Sequence, residues 1–169
     1  TSLSLSGMRL GPAEAKGLAK LTRLTTLSLS QTIIRDADLK ALETLKKLTS
    51  LTVGIYFGKD KPPGDGLLAL LAKLPLLKTA FISGKFTDRG LARIGRPRKL
   101  QFLYLTVKGK GVTYKGLKHL RKLKALQTLS LSGLKLTAKM LGSIALIPKL
   151  KSLKVSDYKY DGAGIGALR

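Results

Sequence analysis

The stretch LTTLSLSQTIIRDADLKALETLKK, residues 24–47, changes period partway through. Leu27 and Leu29 alternate with Thr26, Ser28 and Ser30, which puts the two leucines on one face of a short strand. Leu39, Leu42 and Leu45 then recur every third residue, roughly the spacing of one helical face. Neither half buries its apolar side alone. Such a unit needs a copy of itself on each flank.

Copies run the length of the chain. A first leucine recurs at Leu24, Leu48, Leu77, Leu100, Leu126 and Leu150, in steps of 24, 29, 23, 26 and 24 residues. The next two inward strand positions read Leu3/Leu5, Leu27/Leu29, Leu51/Val53, Ala80/Ile82, Leu103/Leu105, Leu129/Leu131 and Leu153/Val155. In the first copy Leu10, Leu18 and Leu21 match Ile34, Leu42 and Leu45. The third copy is longest, and its excess falls around Gly58 to Gly66, a Gly- and Pro-rich surface loop on the strand-to-helix edge. The pattern predicts one α/β solenoid domain over residues 1–169, with about seven repeats and incomplete ends. Strand residues open the chain and no polar cap closes it, so self-association through an exposed repeat end is expected.

Composition narrows the chemistry. There is no cysteine, which excludes disulfides, zinc–thiolate sites and thiol nucleophiles. No apolar run approaches the roughly 18 residues of a membrane span, and no basic–apolar–small signal opens the sequence. These features predict a cytoplasmic setting. Thirty-two basic residues against nine acidic ones give a formal charge of +23. The imbalance is local: between Asp88 and Asp157 there is no acid, while seventeen lysines and arginines occur. A field of this kind attracts polyanions, nucleic acid included.

The pattern Leu-x-x-Leu-x-Leu-Ser, a turn, an apolar residue, then Thr-Asp-x-Gly-Leu-x-x-Leu resembles leucine-rich-repeat proteins, specifically the 24-residue, ribonuclease-inhibitor-like bacterial type abundant in planctomycetes. Residues 126–149 are its cleanest copy. The resemblance implies a curved parallel sheet on the concave side, helices on the convex side, and protein–protein interaction as the usual role. It also implies Asn, Cys or Thr in the turn eight residues after the first leucine. Here those turns hold Met8, Thr32, Tyr56, Lys85, Lys108, Leu134 and Tyr158, and only Thr32 conforms.

No catalytic set can be assembled, so the chain reads as a non-enzyme with no cofactor and no metal. Asp36 and Asp38 sit at a helix start, where capping accounts for them. His119 falls among lysines on an outward helical face. Gly111 and Gly116 precede Leu117 and Lys118, where a P-loop requires Lys followed by Ser or Thr. The cluster Gly162, Gly164 and Gly166 has the wrong spacing for a dinucleotide turn. Two surfaces remain. Small residues dominate the predicted concave face (Thr25, Thr26, Ser28, Thr49, Ser50, Thr52, Thr128, Ser130, Ser152), but the fourth and fifth strands present Lys78 and Phe81, then Phe102 and Tyr104. With strands about 4.8 Å apart, these aromatics form one patch, a candidate protein-binding hot spot. The fifth helix carries Lys115, Lys118, Lys122 and Lys124, the candidate anion-binding positions.

Overall fold

Leucines alternating with serine and threonine build strands, and each strand lies beside its own copy. The structure, a computed structural model, describes residues 1–54, 62–95 and 97–156. Parts of the third-repeat loop, the turn positions Tyr56 and Tyr158 and the glycine cluster at 162–166 fall outside them. Strands β1 (Ser2–Ser6), β3 (Thr26–Ser30), β5 (Ser50–Val53), β6 (Thr79–Gly84), β7 (Phe102–Val107), β8 (Thr128–Ser132) and β9 (Ser152–Ser156) form one parallel sheet in chain order. Short strands β2 (Arg9–Leu10) and β4 (Ile33–Ile34) pair separately. The register is residue for residue. Leu3, Leu27, Leu51, Ala80, Leu103, Leu129 and Leu153 make one row, and Leu5, Leu29, Val53, Ile82, Leu105, Leu131 and Val155 the next. Between the two outer strands both rows are fully buried.

Helices α1 (Pro12–Ala19), α2 (Asp36–Leu39), α3 (Asp65–Leu71), α4 (Asp88–Ala92), α5 (Tyr114–Leu117) and α6 (Ala138–Ala145) return the chain to the start of the next strand. Two of them change type. Helices α2 and α5 tighten into 3₁₀ turns at Lys40–Thr44 and Lys118–Lys122. A spacing of three is compatible with this, because 3₁₀ geometry stacks residues i and i+3 directly. Leu39, Leu42 and Leu45 are buried, as are Leu117, Leu120 and Leu123. The sixth repeat keeps the same spacing at Leu141, Ile144 and Ile147, all buried, yet α6 is α-helical, with Met140 widening its buried face. A buried apolar residue also stands just before each of five helix caps: Leu10, Ile34, Phe86, Val112 and Leu136. Leu21 departs from the expected pattern and is 45% exposed, because the first repeat has a neighbour on one side alone among the described residues.

Two turns show how the repeats lock. Thr32, buried, donates its hydroxyl to the Leu5 and Ser30 carbonyls at 3.2 Å each, so the turn threonine bonds backbone as the repeat pattern implies. Gly133 has φ +77°, and a Cβ there would lie 2.2 Å from the Val107 carbonyl oxygen.

The aspartates at the helix starts behave differently from expectation. Asp36 does not cap its own helix. It reaches one repeat forward and accepts from the Gly64 N–H at 2.7 Å and the Gly66 N–H at 3.1 Å. Asp65 accepts from the Thr87 N–H at 2.9 Å and its hydroxyl at 2.6 Å. Asp88 accepts from the Thr113 N–H at 2.7 Å, from its hydroxyl, and from the Gly116 N–H at 3.0 Å. Each carboxylate thus satisfies the orphan donors of the following helix. Glycine makes room: a Cβ on Gly116 would lie 2.2 Å from Asp88 Oδ1, and one on Gly90 1.9 Å from Asp65 Oδ1. Asp38 takes a separate role, pairing with Arg35 at 2.8 Å. At the next position in the ladder stands Tyr114, with Lys139 Nζ 5.9 Å from its ring centroid.

The ladder predicts that Asp88→Ala, which strands three donors, lowers stability by about 2–3 kcal/mol, the cost typical of losing bonds to a charged acceptor. Glu43→Ala, a carboxylate outside the ladder, should change stability by less than about 0.5 kcal/mol. Equal losses in urea melts of the two variants would remove the ladder from the account.

Candidate binding surfaces

The register that buries the leucines exposes the residues between them. One outward row runs Ser4, Ser28, Thr52, Phe81, Tyr104, Ser130 and Lys154. Phe81 and Tyr104 are direct cross-strand partners, and their rings stack with centroids 4.1 Å apart and planes 12° from parallel. Both are half-buried. The parallel row, two residues earlier, holds Ser2, Thr26, Ser50, Thr79, Phe102, Thr128 and Ser152. Phe102 therefore shares the face but stands between Thr79 and Thr128, outside the stack.

Lys78 is exposed but precedes β6 rather than lying on it. It occupies the position of Thr25 and Thr49, whose hydroxyls donate to the backbone carbonyls of Thr1 and Thr25, each at 3.0 Å. Those two threonines are thus committed to the strand in front of them. The outward strand rows contain no acidic residue among the described positions.

The basic side chains gather elsewhere. Arg98, Arg121, Lys122 and Lys124 line an open groove of about 690 Å³, with no carboxylate among its described lining. Arg98 follows the end of α4, and the other three lie in or just after the 3₁₀ turn of the fifth repeat. Lys122 is half-buried rather than fully outward, and its Nζ donates to the Ala92 carbonyl oxygen at 3.1 Å. This contact answers an unsatisfied carbonyl at the end of α4. Lys115 and Lys118 are exposed but do not line the groove. Arg98 and Arg121 were missing from the sequence-level candidates, because Arg98 belongs to the preceding repeat and only the fold brings it alongside.

His119 is half-buried beside this cluster. Burial first, then the charges of Lys122, Arg121 and Lys118, hold its pKa below the ordinary imidazole value, against an upward pull from Asp88. Among the described residues no group of three His, Cys, Asp or Glu side chains is placed to hold a metal. Among them, too, no helix is long and apolar enough to cross a membrane.

No protein-family model matches this chain, and no curated protein matches it. Solved structures do. The TLR13–ssRNA13 complex aligns over 94% of this chain and 22% of that one, with a TM-score of 0.56 at 15% identity. The PEPR1–AtPEP1 structure aligns over 95% and 25%, with 0.45 at 17% identity. The internalin inlF from Listeria monocytogenes aligns over 90% and 53%, with 0.43 at 16% identity. This chain thus spans from about a fifth to about half of those chains' lengths. The fold is a leucine-rich-repeat solenoid, a parallel sheet backed by helices.

The depressed His119 pKa has a signed consequence. The folded protein favours the neutral ring, so the stabilisation is complete above the unfolded-state pKa of about 6.5 and is lost as pH falls from there through the folded value. His119→Gln should therefore flatten the fall in Tm between about pH 7.5 and 5 relative to the parent. Parallel Tm–pH curves for the two proteins would contradict this assignment.

Proposed function

We propose that this protein is a non-catalytic binding module whose concave sheet takes a segment of another protein, anchored on Phe81 and Tyr104. The observation carrying this reading is the ring stack itself. Two half-buried aromatics lie parallel near the middle of a sheet otherwise surfaced with serine and threonine. Aromatic anchors ringed by small polar residues have the composition of an interface hot spot. Phe102 extends the apolar area by one row, and Lys78 and Lys154 supply cations at its margin. With no acid on the outward strand rows, the surface suits an extended acidic segment bearing an apolar side chain. The repeat steps, centred on 24 residues, support placing the chain with the 24-residue bacterial type of this fold.

A peptide-display library panned on the folded chain should enrich acidic sequences with a recurrent apolar residue. Alanine at Phe81 or Tyr104 should then weaken the selected peptide by about 1–4 kcal/mol. The stability cost should stay near 0.5–1.5 kcal/mol, the value of an aromatic pair. Undiminished affinity in both variants would move the rings into a purely structural role.

A further inference from the structure

We propose that the groove bounded by Arg98, Arg121, Lys122 and Lys124 binds the phosphate backbone of a single-stranded nucleic acid. The site is separate from the concave face and does not depend on the protein-binding reading. Its four cations come from the closing turns of two successive repeats, so parallel stacking converts basic turns into one basic cleft. The ordinary explanation for such residues is compensation of helix C-termini, and Lys122 is used in that way through Ala92. It does not extend to Arg98 and Lys124, which are exposed and stand beyond the helical segments. Nor, among the described residues, does a carboxylate answer them. Asp88, the last acid before a long basic stretch, is occupied by Thr113 and Gly116 of the next repeat.

The shape favours a chain over a small ion. An open groove of about 690 Å³ exceeds one phosphate, and one oxyanion would leave cations uncompensated. Phosphates at regular intervals along a strand meet two guanidinium forks, each able to bind oxyanions bidentately, and two ammonium groups. No aromatic lines the groove among its described residues, so bases have nothing there to stack on. Recognition is therefore of the backbone, independent of sequence and steeply dependent on salt.

The test compares two triple variants of equal charge change. One is Arg98→Glu, Arg121→Glu and Lys124→Glu; the other is Lys16→Glu, Lys20→Glu and Lys40→Glu. All six positions are exposed, and circular dichroism confirms folding of each variant. Binding of labelled oligothymidylate and oligoadenylate of about 12 nucleotides is measured by anisotropy near 0.15 M salt. The groove triple should lose at least about 10-fold more affinity than the control, and its salt slope should fall by about 2, near 0.7 per lost phosphate contact. The two oligonucleotides should bind alike. His119 gives a second readout by NMR: burial and then Lys122, Arg121 and Lys118 depress its pKa while Asp88 raises it, so bound phosphates should shift the titration upward. Equal losses from the two triples would overturn the proposal. So would an unmoved His119 titration at saturation, or preferential binding of a heparin oligosaccharide of matched charge.

Discussion

Every strand pairs residue for residue with the next, and nearly everything else in the molecule follows from that register. A side chain's lateral neighbours are its own counterparts one repeat away. Inward, this stacks leucine on leucine, and each fully buried leucine contributes roughly 1.5–3 kcal/mol of transfer free energy. Outward, the same rule makes Phe81 and Tyr104 direct neighbours. At the helix starts it brings each aspartate to the donors of the following helix, and in the closing turns it sets Arg98 beside the basic fifth repeat. A strand that slipped by one residue would invert its faces and break all four arrangements together.

This explains what the sequence disclosed and what it withheld. Features that obey the repeat in one dimension were legible: the leucine rows, the strand order, the turn threonine at Thr32 and the outward placement of Phe81, Phe102 and Tyr104. Features that act between repeats were not. Asp36 at a helix start has the same local signature whether it caps its own helix or the next, and only distances separate the two cases. Phe102 is aromatic and outward like its neighbours, yet its row differs, so it stands outside the stack. The groove combines Arg98 from one repeat with Arg121 from another. The switch to 3₁₀ geometry left no trace, since the spacing of three at Leu39, Leu42 and Leu45 recurs at Leu141, Ile144 and Ile147 in the sixth repeat, whose helix is of the α type.

The distribution of charge takes on a structural logic in this light. Three of the nine acids serve the ladder, and Asp38 is tied to Arg35. The basic residues, far more numerous, find few carboxylates left. Beyond Asp88, the ladder's last carboxylate, acids vanish from the described chain, and the groove lies between the same fourth and fifth repeats that Asp88 joins. The outward face of the sheet differs in kind, being rich in small hydroxyl residues and carrying two stacked rings. The molecule thus presents two surfaces with different chemistry, one aromatic and hydroxyl-rich, the other cationic.

The substitution of Tyr114 for a carboxylate also bears on how the solenoid comes apart. In a chain of nearest-neighbour units, cooperativity is only as strong as each junction. The junctions from the second repeat to the fifth are tied at the helix starts by charge-assisted bonds, whereas that between the fifth and sixth repeats has a tyrosine ring under Lys139, worth about 0.5–1 kcal/mol when exposed. The solenoid therefore contains a seam. Under mechanical load or partial denaturation, the block beyond α5 parts before the ladder-linked repeats do.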